Sequence, residues 1–114
     1  NYAMPSSIIA RESKNKNCFI AEGCEIYGTI THSIISTGCT VAPGAIVEDS
    51  VIMPNVHIES GAIIRHAIIG EDCRICRGAV IGGSFAPGEE KKISVVGKAK
   101  TIAENTAIKP GDIY

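Results

Sequence analysis

The sequence lacks the features that usually indicate secretion, membrane insertion or nucleic-acid binding. No apolar run approaches the ~20 residues that span a bilayer, and no signal peptide with a small-residue cleavage site is visible. There is no block of basic residues, and the formal net charge is −1. Neither nucleic acid nor an anionic membrane is therefore expected as the main partner, and we predict a cytoplasmic protein.

Aromatic residues are also scarce: the 114 residues include no Trp, three Tyr and two Phe, although 45% are hydrophobic. The apolar residues are mostly Ile, Val and Ala, which are typical of parallel sheets. The five cysteines are odd in number. Because no signal peptide indicates an oxidising compartment, we expect free thiols rather than a disulfide framework.

An internal repeat defines the fold. Four segments align without gaps, namely 20–26, 35–41, 52–58 and 69–75, and aliphatic residues recur at six-residue steps within them. Successive coils are 17 residues long, but the first is only 15, with the loss around 27–30. A coil of about 18 residues divides into three short strands, each stacking roughly 4.8 Å from its counterpart in the next coil.

Two further columns share this register. Small residues fall where a narrow interior has little room, and residues that tolerate a positive φ fall at the corners. The first set is Cys24, Cys39, Val56 and Cys73 with Ala45, Ala62 and Ala79; the second is Gly23, Gly38, Asn55 and Asp72 with Gly44, Gly61 and Gly78. We therefore predict an all-β fold, a single-stranded left-handed parallel β-helix of hexapeptide repeats. A helical solenoid and an antiparallel sandwich lack their own signals here.

The repeat also divides the chain. We predict an N-terminal strand, cap and linker remnant over 1–19, β-helix coils over 20–81, an exposed loop over 82–92 and a final coil over 93–114. In that final coil Val96, Ile102, Ile108 and Tyr114 resume the six-residue spacing. The chain opens on Asn1 and its first Met is at position 4, which leaves open that residue 1 is a cut point within a longer sequence.

The histidines do not form an obvious metal site. His32 and His66 share a corner column with Asp49 between them, and two coils separate them by roughly 9–10 Å. We interpret this column as a polar ladder facing solvent, since one ion would need Asp49 or a second chain to bridge that distance. His57 precedes an inward Ile and is expected to face outward.

The positions of the cysteines indicate a structural role rather than a metal-binding or redox role. Cys73 and Cys76 have the spacing of a redox or zinc half-site, but strand alternation places the first inside and the second outside. Cys24 and Cys39 stack on adjacent coils within bridging distance, yet small apolar core thiols are the favoured interpretation. We predict no metal site, no cofactor and no catalytic residue in this chain.

One basic group is a candidate binding site. Arg74 and Arg77 lie at one edge of the last regular coil, and Lys91 and Lys92 lie in the loop that leaves it. A loop folded back on this edge would form an anion pocket from the four residues. The alternative is scattered surface charge.

Segments 23–35 (GCEIYGTITHSII) and 44–53 (GAIVEDSVIM) carry a family resemblance. The chain resembles, over roughly 8–114, the C-terminal β-helix domain of bacterial ADP-glucose pyrophosphorylase, also called glucose-1-phosphate adenylyltransferase, or a close non-catalytic paralogue. The shared features are the short first coil, the acid-polar-Ser-aliphatic-aliphatic corner and a Lys-Asn step such as Lys16-Asn17.

The resemblance implies a separate N-terminal catalytic domain that makes ADP-glucose and pyrophosphate from ATP and glucose 1-phosphate with Mg²⁺, for glycogen synthesis. Mg²⁺ and ATP would then bind only outside this chain. The resemblance also implies that the β-helix packs on that domain and supports a homo-oligomer, or a hetero-oligomer with a paralogous subunit. It would help to bind a sugar-phosphate or nucleotide effector, and Arg74, Arg77, Lys91 and Lys92 lie in the comparable region.

Two other functions fit a hexapeptide β-helix. A free-standing acyltransferase would use a His as general base and bind acyl-CoA between the coils of a trimer. A zinc hydratase of the γ-carbonic anhydrase kind would hold zinc between chains.

Overall fold

The computed structural model describes residues 6–11 and 13–114, and it confirms the predicted β-helix. These residues form 17 short parallel strands, assigned to three sheets that make the faces of a prism. Sheet A contains β1 (Ile8–Ile9), β4 (Glu25–Ile26), β7 (Thr40–Val41), β10 (His57–Ile58), β13 (Arg74–Ile75) and β16 (Thr101–Ile102). Sheet B contains β2 (Lys14–Lys16), β5 (Thr29–Thr31), β8 (Ile46–Glu48), β11 (Ile63–Arg65), β14 (Val80–Gly82) and β17 (Ala107–Ile108). Sheet C contains β3 (Phe19–Ile20), β6 (Ile34–Ile35), β9 (Val51–Ile52), β12 (Ala67–Ile69) and β15 (Ser94–Val96).

The predicted inward columns form the core. The aliphatic residues of the middle coils, such as Val41, Ile58 and Ile75 on sheet A, are at most 2% exposed. The small residues between them are equally buried, including all seven of the predicted Cys, Val and Ala positions. Side chains stack directly on those of the next coil because the strands pair in parallel without any shift in register. The predicted register is therefore correct.

The corner between sheets A and B explains the short first coil. In the next coil this corner is a turn over 42–45, closed by a hydrogen bond from the Ala45 amide to the Ala42 carbonyl (3.1 Å). The first coil crosses it with Tyr27 and Gly28 alone. A Cβ on Gly28 would lie 2.6 Å from the Ala45 carbonyl oxygen and 2.8 Å from that of Ala42. Only glycine lets the shortened chain pass this close to the turn below.

The corner between sheets B and C is tighter, and here the hydroxyls of buried serines accept hydrogen bonds from backbone amides of the next coil. The Ser33 hydroxyl donates to the Thr31 carbonyl (2.8 Å) and accepts from the Ser50 amide (3.1 Å). Ser50 repeats this pattern with Glu48 and the Ala67 amide. Ser33 and Ser50 thus link successive coils at this corner through their side chains.

The ends of the prism differ from its middle. Strands β1, β2 and β3 already form a coil, so regular stacking begins within the segment 1–19 that the sequence analysis assigns to a cap; residues 1–5 and Glu12 of that segment lie outside the described residues. At the other end Ile113 pairs with Val95, so Tyr114 keeps the predicted register beside the inward Val96. Tyr114 is nevertheless 55% exposed because no described coil covers it, and its ring lies 5.8 Å from Lys100 Nζ. The described residues contain no helix capable of crossing a membrane.

Candidate functional site

The step at the shortened corner opens a pocket on sheet A. This space of about 430 Å³, called here the arginine pocket, lies where Tyr27 leaves the turn of the next coil uncovered. Its lining includes Tyr27, Thr40, Ala42, Pro43, His57, Glu59, Ser60, Arg74 and Arg77. The volume is in the range of small-molecule sites. Of the four basic residues predicted to form an anion site, the structure places Arg74 and Arg77 together in this pocket.

One carboxylate lies between these two arginines. Glu59 Oε2 is 3.2 Å from Arg74 Nη1, and Glu59 Oε1 accepts a hydrogen bond from the backbone amide of Arg77 at 3.1 Å. The Arg74 side chain is 54% exposed and that of Glu59 is 37% exposed. The Arg77 guanidinium forms no ion pair with any other described residue. The pocket therefore combines the Arg74 guanidinium and the Arg77 backbone amide with a single carboxylate, and the exposed Arg77 residue belongs to the same lining.

Two other polar pairs line or adjoin the pocket. The Tyr27 hydroxyl donates to Glu25 Oε1 at 3.1 Å, and this hydrogen bond raises the pKa of Tyr27, with burial and the Glu25 charge acting in the same direction. His57 faces outward as predicted, with its Nδ1 2.7 Å from Thr40 Oγ1. Both pairs hold polar side chains against the wall of sheet A.

The two lysines of the predicted site lie elsewhere. Lys91 and Lys92 are exposed, and neither lines the arginine pocket. The Lys92 side chain lies beside Gly111, at the corner between sheets B and C of the last coil. The loop that carries them is anchored at that same corner, where the Phe85 ring packs edge-on against His66 with ring centroids 5.0 Å apart. In this structure the loop does not fold back over the arginines.

His66 belongs to the predicted polar ladder. His32 Nδ1 and His66 Nε2 each lie 3.6 Å from a different oxygen of Asp49, and Asn17 Nδ2 is 2.9 Å from His32 Nε2. His66 Nδ1 donates to the Gly83 carbonyl at 2.9 Å. No group of three or more His, Cys, Asp or Glu within 6–11 and 13–114 is arranged to hold a metal ion.

The cysteines divide as their columns predict. Cys24, Cys39 and Cys73 are buried free thiols, and each donates to a backbone carbonyl of the next coil at 3.0–3.1 Å. Burial raises the pKa of Cys39 to about 11, so this thiol stays protonated. Cys76 is partly exposed near the arginine pocket. Its pKa is raised by burial first and then by the charge of Glu59, while Arg74 lowers it.

A second surface has the opposite character. The outward side chains of sheet C pair in one continuous ladder, called here the apolar face, formed by Phe19, Ile34, Val51, Ile68 and Val95. Phe19 is 66% exposed and Ile34 is 48% exposed. Large contiguous apolar patches on a protein surface often mark sites of interaction.

Three contributors to the pocket were not predicted from the sequence. Tyr27 and Pro43 become walls only because the first coil loses two residues at one corner, and Glu59 meets Arg77 across an 18-residue separation. The short coil was visible in the repeat, and it was the one available signal. The apolar face was also readable, as the residue preceding each inward aliphatic residue of sheet C.

Fold and site together define a hexapeptide-repeat β-helix domain. Residues 5–102 match the sequence model of the family described as GlmU-like, C-terminal hexapeptide, and the chain belongs to that family.

Relatives with established names match over a shorter stretch. A glucose-1-phosphate adenylyltransferase of Clostridium perfringens (strain SM101 / Type A) is 39% identical over 59 residues, which are 52% of this chain and 15% of that protein. One from Clostridioides difficile (strain 630) is 44% identical over 54 residues, 47% of this chain and 14% of that protein. One from Bacillus thuringiensis (strain Al Hakam) is 39% identical over 59 residues, 52% of this chain and 16% of that protein. The matched segment is thus about one seventh of these relatives.

Solved structures share the fold at low identity. The acetyltransferase domain of PglB from Neisseria gonorrhoeae FA1090 superimposes with a TM-score of 0.67 and 21% identity, covering 96% of this chain and 54% of that one. A variant of GDP-perosamine N-acetyl transferase from Caulobacter crescentus gives a TM-score of 0.55 and 14% identity, covering 92% and 51%. At these identities the likeness concerns the fold alone.

Proposed function

We propose that this chain is the C-terminal assembly and regulatory domain of a glucose-1-phosphate adenylyltransferase subunit. The parent protein would form ADP-glucose and pyrophosphate from ATP and glucose 1-phosphate in a separate catalytic domain that binds Mg²⁺. The observation that carries the proposal is the 39–44% identity to such enzymes from several genera over about half of this chain. The matching hexapeptide family describes the fold but does not distinguish among the enzymes that use it.

The two surfaces divide the proposed role. The apolar face supplies a contact for the parent's catalytic domain or for a neighbouring subunit, because burying its exposed Phe and Ile side chains removes apolar surface from water. The arginine pocket, on a different face of the prism, supplies a place for a sugar-phosphate or nucleotide effector through Arg74 and Arg77. A ligand at one face and an assembly contact at another are what a regulatory domain requires.

The proposal is tested on the complete reading frame that encodes this sequence. We expect the frame to extend upstream into a nucleotidyltransferase domain. The purified product should convert ATP and glucose 1-phosphate to ADP-glucose in the presence of Mg²⁺, or should raise that activity when mixed with a catalytic paralogue. A frame that begins at Met4, or a product with neither property, would contradict the proposal.

The acyltransferase alternative has its own assay. Such an enzyme would transfer acetyl groups from acetyl-CoA to an amine or hydroxyl acceptor, using a His as general base. Absence of turnover with a panel of such acceptors would count against it. The zinc-hydratase alternative requires stoichiometric zinc, so elemental analysis of the purified protein decides it.

A further inference from the structure

Glu59 occupies a site that is built to receive an anion. We propose that its carboxylate is an internal placeholder, and that a phosphate group of a small phosphorylated ligand displaces it from Arg74 and the Arg77 amide. The proposal deepens the regulatory part of the proposed function and rests on it for the ligand's physiological role. The binding chemistry itself rests only on the pocket.

The contacts of Glu59 are those that a bound anion makes. One carboxylate oxygen faces the Arg74 guanidinium at 3.2 Å, and the other accepts from the Arg77 backbone amide at 3.1 Å. A guanidinium and a backbone N–H are the donors that most often hold phosphate oxygens in proteins. Arg77 also lines the pocket, and its guanidinium forms no ion pair with another described residue. A dianionic phosphate at this position would also attract the Arg77 guanidinium, with which the Glu59 carboxylate forms no ion pair.

A second Arg–Glu pair shows that this arrangement is not general on the surface. Glu48 Oε1 accepts from Arg65 Nε at 2.7 Å across sheet B. That pair links the outward residues of two neighbouring strands, and neither residue lines the arginine pocket. It is a cross-strand ion pair of the ordinary kind, and it serves as a control.

Glu59 can be displaced at small cost. Ion pairs between side chains as exposed as these are weakly populated in water, because solvent screens them and side-chain entropy opposes them. The pocket of about 430 Å³ leaves room for the body of the ligand between Tyr27 and Pro43. That space suits a sugar or nucleoside attached to the phosphate, with apolar contact from the Tyr27 ring and the Pro43 ring.

Because the Glu59 carboxylate competes with phosphate for the same donors, it weakens phosphate binding. Removing the charge of Glu59 should therefore tighten phosphate binding, by about two- to sixfold for an exposed pair of this strength. Glu59→Gln is the decisive variant, since it keeps the size and hydrogen-bonding capacity of the side chain. Glu48→Gln makes the same change in net charge on another face.

The experiment titrates the ¹⁵N-labelled chain with inorganic phosphate at constant pH and ionic strength and follows the backbone amide of Arg77. We expect a saturable shift of that amide in the wild type, a lower Kd in Glu59→Gln, an unchanged Kd in Glu48→Gln and loss of saturation in Arg74→Gln. Acetate should bind more weakly than phosphate, since its single carboxylate has the same charge and the same acceptor atoms as the Glu59 side chain that it must displace. Retained chemical-shift dispersion shows that each variant is folded.

Three outcomes would overturn the inference: no saturable shift in either wild type or Glu59→Gln, an equal or higher Kd in Glu59→Gln, or the same gain in Glu48→Gln. The last would reveal a general charge effect. Failure of the proposed function is distinguishable, because phosphate would then bind as described but would not change the activity or assembly of the longer protein.

Discussion

The outer faces of sheets A and C lie on the same core but carry opposite chemistry. After Ile8 on the first strand, the outward residues of sheet A are Glu25, Thr40, His57, Arg74 and Thr101, whereas those of sheet C are Phe19, Ile34, Val51, Ile68 and Val95. The inward aliphatic columns of both sheets consist of Ile and Val. The core therefore specifies only the prism, and the outward column of each sheet specifies what that face can bind.

The largest expected effect comes from placing charge on the apolar face. Ile34→Lys and Ile68→Lys should abolish assembly of the parent protein, because a buried interface does not tolerate an unpaired ammonium. Sedimentation velocity measures the loss. Thr40→Lys on sheet A is the matched control and should leave assembly intact. The free energy of unfolding of all three variants should stay within about 1 kcal/mol of the wild-type value, since each site is outward. Unchanged assembly in the sheet C variants would show that this face is not the contact between subunits.

The shared core gives the next effect. Ala62→Leu should overfill the interior and lower the free energy of unfolding by about 1–3 kcal/mol, because Ala62 is fully buried at a position where only a small side chain fits. Thr40→Leu, on the outer face of sheet A, should lower it by less, about 0.5 kcal/mol, because the variant loses only the half-exposed hydrogen bond to His57. Chemical denaturation measures both. Equal destabilisation would mean that the inward register is wrong.

The polar character of sheet A should be visible in the reactivity of Cys76. Glu59 raises the pKa of this thiol and Arg74 lowers it. Glu59→Gln should therefore lower the pKa, increase the thiolate fraction at pH 8 and speed alkylation of Cys76 by about twofold. Arg74→Gln should slow it. Peptide mapping after timed iodoacetamide treatment measures the rate, and a shift of both variants in the same direction would contradict the assigned geometry.

The smallest effect is expected from the loop. Lys91→Ala and Lys92→Ala should change phosphate affinity at the Arg77 amide by less than about twofold, since neither lysine lines the pocket and exposed charges are screened with distance. The same titration with Arg74→Gln gives the loss of phosphate affinity against which the lysine variants are compared. A loss as large as that of Arg74→Gln would mean that the loop closes over the pocket when phosphate binds, as the sequence analysis proposed for the four basic residues.

Much of this protein follows from its sequence alone, because a parallel β-helix is built from contacts between residues at a nearly constant separation. Ile58 stacks between Val41 and Ile75 because each of them is one coil of 17 residues away. Strand alternation then decided that Cys73 is inside and that Cys76 and His57 face outward. The repeat thereby determined the fold, the register, the fate of most cysteines and the apolar face.

The features that depart from the repeat, namely the loop and the arginine pocket, depend on the tertiary structure. The position of the loop at 83–92 depends on Phe85 meeting His66, and the period of the coils does not specify that contact. The arginine pocket depends on how Tyr27 and Gly28 cut one corner, and on the rotamer with which Glu59 reaches Arg74 and the Arg77 amide. Side-chain directions at an irregular corner are set by local packing rather than by spacing, so the sequence named the two arginines but not the carboxylate between them.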